Sequence, residues 1–235
     1  MRFKQLNRLG RFGPLGIAVG LLAACSPPAA ESSRFNTRPP IGAAETHPRF
    51  SAMDLGLLES GDRDRWQRVD DILDDLKIAD GFVVADIAAG GGWFAERIAR
   101  RVGPAGRVYA EEIQSTMIQA ISRRMEVERL NNITPVLGTP EDPQLPAGAL
   151  DCAVIINAFH DIDAPVRLLA HIRTALKPSG LLGVVDFTPG GGGPGPETAE
   201  RVAPETIIEA AKSADLRLVA RFPVEPFEFL LVFEK

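Results

Sequence analysis

The stretch Val83-Val84-Ala85-Asp86-Ile87-Ala88-Ala89-Gly90-Gly91-Gly92-Trp93-Phe94 limits what this chain can become more than any other. An apolar run ends in an acid, passes through a turn of residues without bulk, and opens at once into the helical pattern Phe94-Ala95-Glu96-Arg97-Ile98-Ala99. A buried strand that turns into a helix through small residues leaves its backbone open to close approach by a ligand. About one strand further on, Arg107-Val108-Tyr109-Ala110 ends in Glu111-Glu112, where an acid can reach the hydroxyls of a bound ribose. Together these features predict a nucleotide-type pocket at the carboxyl edge of a parallel sheet.

The surrounding pattern supports that sheet. Trp66, Val69, Ile72, Leu73 and Leu76 fall at helical spacing and predict one amphipathic helix over 62–78. Strands are expected over 82–87, 106–110, 133–137, 151–157 and 181–187, with helices over 93–102, 114–129 and 165–176. Such alternation implies a doubly wound, mostly parallel sheet covered on both faces. After a glycine run comes a helix over 204–214 and two β-rich segments, 217–222 and 227–234. Their link, Pro223-Val224-Glu225-Pro226, is too short for a helical crossover, so they should pair as an antiparallel hairpin. The expected fold is a seven-stranded Rossmann-like α/β sheet closed by that hairpin.

The N-terminus reads as an address. A basic segment, Met1 to Arg11, precedes the apolar stretch Leu15–Leu22, which is too short to span a bilayer comfortably. It ends in Leu22-Ala23-Ala24-Cys25, which resembles the lipobox of bacterial lipoproteins. That resemblance implies a signal peptide over 1–24, cleavage before Cys25 and lipidation of its thiol, and Ser26 favours the outer membrane. An ordinary secretory signal, or a start codon placed too early for a cytoplasmic protein, are the other readings. Residues 25–60, with Pro27-Pro28 and Pro39-Pro40, read as a tether that cannot bury a core.

The four basic residues Arg2, Lys4, Arg8 and Arg11 are the only charges ahead of Cys25, so a net charge of -5 becomes -9 for the remainder. A body that acidic suits a phosphate backbone poorly, which argues against a nucleic-acid partner. The other cysteine, Cys152, lies in the apolar run Leu150–Ile156 and reads as a small packing residue.

Two nucleotides compete for the turn. Gly90-Gly91-Gly92-Trp93-Phe94-Ala95 fits G-x-G-x-x-A, the dinucleotide fingerprint of an NAD-type oxidoreductase. Asp86, however, stands just before the turn. A pyrophosphate gains nothing from its charge, whereas a ligand bearing an ammonium group and a sulfonium does.

At this point the chain resembles the class I S-adenosylmethionine-dependent methyltransferases, over roughly residues 61–235. Asp86-Ile87-Ala88-Ala89-Gly90-Gly91-Gly92 is similar to that family's first motif, with Ala88 in place of its first glycine. Glu112 matches the ribose-binding acid. Gly138-Thr139-Pro140-Glu141-Asp142 resembles the adenine-side loop, and Ala175-Leu176-Lys177-Pro178-Ser179-Gly180 the turn before the fifth strand. The resemblance implies S-adenosylmethionine as cofactor, held by Asp86, Ala88, Gly90, Gly92, Glu112 and Asn157. Because Thr139 stands where many relatives have an aspartate, Glu141 or Asp142 becomes the expected polar contact to adenine. Ala88 is tolerable there if its φ stays negative. Trp66 either flanks the cofactor or packs in the core.

Methyl transfer needs alignment first, and a base only when the nucleophile is weak. His160, in Asn157-Ala158-Phe159-His160-Asp161-Ile162-Asp163 at the end of the fourth expected strand, is the candidate base, with Asp161 or Asp163 to orient it. Its alternative role is to line the pocket. His171 reads as structural, and no His, Cys and carboxylate spacing predicts a metal centre. Gly190–Gly195 is expected to be a disordered insertion or a lid. The sequence therefore predicts a lipid-anchored methyltransferase of a small-molecule acceptor, with an NAD-type oxidoreductase or a non-catalytic envelope ligand-binding protein as alternatives.

Overall fold

The computed structural model describes residues 55–59 and 61–235; the leader, Cys25 and most of the tether lie outside the described residues. Five strands run in parallel: β1 (Val83–Ile87), β2 (Arg107–Glu112), β3 (Ile133–Leu137), β4 (Leu150–Ile156) and β5 (Leu176–Phe187). Two more, β6 (Arg217–Val224) and β7 (Glu228–Glu234), pair as the antiparallel hairpin, and β7 joins β5 with Phe187 opposite Glu228. The order across the sheet is β3-β2-β1-β4-β5-β7-β6.

Burial on both faces explains the near-continuous apolar runs. Successive side chains of β4 alternate between two cores, Cys152, Val154 and Ile156 on one face and Ala153 and Ile155 on the other. The first face is covered by α3 (Val69–Asp75), α4 (Trp93–Val102) and α5 (Ser115–Glu128), through Ile72, Ile98 and Ile121 among others. The second is covered by α6 (Pro165–Ala175) and α7 (Pro204–Ser213), through Leu169, Ile172 and Ile207. Cys152 is 1% exposed, and burial pushes its thiol pKa well up, so it packs and does not react.

The chain leaves β3 at one edge and enters β4 on the far side of β1. A crevice therefore opens between the carboxyl ends of β1 and β4, the point where open α/β sheets bind ligands.

Several boundaries differ from the sequence expectation, among them the end of β6, which takes in Pro223 and Val224 from the expected link. The helix expected over 62–78 is two short ones, α2 (Arg63–Trp66) and α3, preceded by the one-turn α1 (Leu55–Leu58). The break lies at Arg68, which is left-handed at φ 48. A left-handed residue costs about 1 kcal/mol. The kink turns Gln67 inward, where its amide donates to both oxygens of the buried Glu228 at 3.0 and 2.8 Å. Strand β5 starts at Leu176, straight out of α6, with a shift of register against β4 between Leu150 and Cys152. Strand β2 runs two residues further than expected, carrying Glu111 and Glu112 to the carboxyl edge.

Candidate active site

The glycine turn joins β1 to α4 with Ala88 at φ 55, Gly90 at φ 55 and Gly92 at φ 82. The condition under which an alanine is readily tolerated at 88, a negative φ, is thus not met. The strain is offset locally: the Ala88 amide donates to Glu111 Oε2 at 3.3 Å, and the Ala89 amide to the Glu111 carbonyl at 2.9 Å. The sequence offered Glu111 only as a neighbour of Glu112, yet it is the residue that holds the turn. On the other side, Arg124 Nε donates to the Gly91 carbonyl at 2.9 Å and also pairs with Glu96 and Glu59. A Cβ on Gly91 would stand 2.5 Å from Glu59 Oε1 and 3.0 Å from Leu55, so the segment around α1 roofs the turn.

Asp86, one residue before the end of β1, is almost completely buried, at 2% exposure. The amide of Ala95, in the open first turn of α4, donates to its carboxylate, while Oδ2 has no partner. Burial pushes its pKa to about 7, with Arg63 and the Ala95 amide pulling the other way. Glu111 is similar: burial raises it to about 8, and its Oε1 has no partner. Glu112, 6% exposed, accepts from the Gln114 amide at 3.0 Å.

Asn157 follows β4 in a left-handed conformation, φ 55, and joins a network that spans the crevice. Its side-chain amide donates to Glu228, and its Oδ1 lies 3.5 Å from Arg63 Nη2. Glu228 is raised to about 7 by burial, against the hydrogen bonds from Asn157 and Gln67. Neither Glu228 nor Gln67 stood out in the sequence. The signal available was an acid inside the apolar run Phe227-Glu228-Phe229-Leu230-Leu231.

His160 lies on a single 3-10 turn, Phe159–Asp161, directly after β4. Its orienting acid is Asp186, and not the expected Asp161 or Asp163. The His160 Nδ1 is 3.0 and 3.2 Å from the two oxygens of Asp186, which is fully buried near the end of β5. Asp186 also accepts from the amides of His160 at 3.3 Å and Phe187 at 2.8 Å. Asp161 stands 3.7 Å from the other ring nitrogen, Nε2. Burial lowers the imidazole pKa, but the hydrogen bond and charge of Asp186, with Asp161 and Glu200 beyond, raise it above the ordinary value overall.

Beside the histidine, Trp66 packs on Phe187 with ring centroids 6.0 Å apart, so it lies toward the end of β5. The glycine run folds as an ordered loop. Arg201 threads it, donating to the carbonyls of Thr188, Gly191, Pro194 and Pro196 at 2.9–3.1 Å. Glu141 turns outward to pair with Arg167 at 2.7 Å. Asp142 organises its own loop, accepting from the Gln144 backbone and side-chain amides, each at 2.9 Å. His171 is exposed, 3.5 Å from Asp142.

Buried carboxyl groups on β1 and β2, each with an oxygen lacking a partner, make a poor cradle for a pyrophosphate and a good one for a cationic ligand. The residues fit S-adenosylmethionine.

Known proteins point the same way. A family model described as a methyltransferase domain matches residues 84–180. A ubiquinone/menaquinone biosynthesis C-methyltransferase UbiE of Pasteurella multocida is 27% identical over 133 residues, which are 56% of this chain and 49% of that protein. The Enterobacter UbiE is 30% identical over 139 residues, 56% and 52% of the two chains. The chain thus spans about half the length of the curated relatives it matches. Among solved structures, a SAM-dependent methyltransferase from Aquifex aeolicus superposes with a TM-score of 0.75 at 20% identity, covering 79% of this chain and 98% of the other. The geranyl diphosphate C-methyltransferase of Streptomyces coelicolor, solved with S-adenosyl-L-homocysteine, superposes at 0.63 with 14% identity, covering 81% and 86%. The chain has the fold of S-adenosylmethionine-dependent methyltransferases, and residues 84–180 match the methyltransferase domain model.

Proposed function

We propose that the protein transfers the methyl group of S-adenosylmethionine to a small-molecule acceptor, with His160 as general base and Asp186 as the acid that positions it. The observation that carries this reading is Asp86, a buried acid with an unpartnered oxygen beside the glycine turn at the β1/β4 crevice. Bound there, S-adenosylmethionine supplies a methyl group made electrophilic by its sulfonium. Asp86, Glu112 and the Ala88–Gly92 turn hold it. Asp186 accepts from the Nδ1–H of His160, which leaves the Nε2 lone pair to take a proton from an acceptor hydroxyl, thiol or acidic carbon. Trp66 and Phe187 give the acceptor side an aromatic wall.

The test is a radiolabelled methyl-transfer assay against phenolic, quinol, thiol and amine acceptors. Label appearing in a product, and lost with His160→Ala, supports the assignment. Cofactor binding without transfer to any acceptor favours a binding protein.

The lipobox-like Leu22-Ala23-Ala24-Cys25 supports a lipid anchor on Cys25, which would hold this chemistry at the cell envelope. Globomycin should accumulate precursor, and Cys25→Ala should release the protein from membranes. A wild-type protein found in the soluble fraction would contradict the anchor.

A further inference from the structure

The segment 55–67 crosses the carboxyl edge of the sheet as a strap. At one end Leu55 and Glu59 lie against Gly91 in the glycine turn, and Glu59 pairs with Arg124. Arg63 then passes over Trp93 and toward Asn157 after β4, and Trp66 packs on Phe187 at the end of β5. At the far end Gln67 meets Glu228, the first residue of β7. Within 61–67 only Gln67 is buried, so apart from Trp66 the strap is held by polar contacts rather than by a core. The helix that follows, α3, is fixed in the core through Ile72 and Leu73, and the left-handed Arg68 separates the two.

Glu228 holds that far end. Its carboxylate is buried and accepts from Gln67 Nε2 at 3.0 and 2.8 Å and from the side-chain amide of Asn157. Both amides turn their oxygens to Arg63: Gln67 Oε1 accepts from its Nε at 2.9 Å, and Asn157 Oδ1 lies 3.5 Å from its Nη2. Their nitrogens therefore face residue 228, where a group made only of acceptors satisfies both. A glutamine there would set one buried amide donor against another. We propose that Glu228 is a positioning residue that clasps the strap to Asn157 across the mouth of the crevice, and that parting of the Gln67–Glu228 contact is the step that admits and releases the ligand. The identity of that ligand rests on the cofactor assignment above, whereas the clasp itself needs no ligand.

Two measurements on the full chain separate clasp from gate: hydrogen exchange of the 61–67 amides without ligand, and stopped-flow release of S-adenosylhomocysteine. Glu228→Gln should speed the exchange by about tenfold and the release by about fivefold or more, as expected from losing a hydrogen bond to a charged group. Gln67→Ala cuts the strap's side of the contact and leaves the carboxylate with Asn157. It should act in the same direction, and it carries the test if Glu228→Gln does not fold. The decisive variant exchanges the pair, Gln67→Glu with Glu228→Gln. The acid at 67 then accepts from Arg63 and from the amide at 228, whose oxygen accepts from Asn157, so both rates should return to within about twofold of wild type. Exchange unchanged in the single variants, or no recovery in the double variant, would overturn the clasp. Faster exchange with unchanged release would overturn the gate. If the wild-type protein binds no S-adenosylhomocysteine, the cofactor assignment fails, and the exchange rates still decide the clasp.

Discussion

His160 and Asp186 form a dyad across adjacent strands: the imidazole Nδ1 lies 3.0 Å from a carboxylate that is completely buried. The two residues are 26 positions apart and meet because β4 and β5 are neighbours whose carboxyl ends share one edge. A buried carboxylate that also takes two backbone amides has little freedom, so it fixes the ring's tautomer as well as its orientation.

If His160 is the base, transfer to a weakly nucleophilic acceptor should fall by about 10²- to 10⁴-fold in His160→Ala. The rate should rise with pH through a pKa above the ordinary histidine value, because only the neutral ring accepts a proton. Asp186→Asn should lower the rate and move that limb to lower pH, since the charge that raises the pKa is gone. A pH profile of kcat that is identical in wild type and Asp186→Asn would refute the dyad.

The ligand-free protein should be more stable at pH 6 than at pH 8. Burial holds Asp86 at about 7, Glu228 at about 7 and Glu111 at about 8, whereas unfolded carboxyl groups titrate near 4. Above pH 4 the folded chain therefore binds more protons than the unfolded one, and stability falls as pH rises through this window. His160 adds in the same sense, since its raised pKa contributes stability that is lost as pH passes it. Thermal melts from pH 6 to 8 should show the Tm falling, with a shallower fall in Asp86→Asn. A Tm that climbs over this range would contradict the assigned burial cost.

Arg201→Ala should free the Thr188–Pro196 loop, which is tied by that guanidinium to four of its own carbonyls at 3.1 Å or less. Losing several hydrogen bonds of about 1 kcal/mol each should speed proteolytic cutting in the loop by about fivefold or more, with little change in global Tm. Unchanged cutting would mean the loop is held by its contacts to Phe187 and Phe227 instead.

The strands were legible because their apolar runs are bounded by turns, and α4 and β3 fall where the periodicity places them. The same logic put Asp86 and His160 at the carboxyl edge of the sheet, one near the end of β1 and the other on the turn that follows β4. Partners contributed by other strands were not legible. Asp186 becomes the partner of His160 only once β4 and β5 are known to be adjacent, and the nearer acids Asp161 and Asp163 looked equally able. Glu228 reaches the crevice only through the register that sets it opposite Phe187. The kink at Arg68 was hidden because Trp66 to Leu76 also satisfies one continuous helix. Its cause is the distant carboxylate that draws in Gln67. Ala88 could be read only as a departure from a glycine motif, because its φ is set by Glu111 on the neighbouring strand.

The most direct test is competitive calorimetry of the purified protein with S-adenosylmethionine and NAD, in wild type and Asp86→Ala. The buried, incompletely partnered acids predict saturable binding of S-adenosylmethionine, at least about tenfold tighter than NAD, and its loss in Asp86→Ala. Tighter binding of NAD, or no heat at millimolar S-adenosylmethionine, would contradict the account.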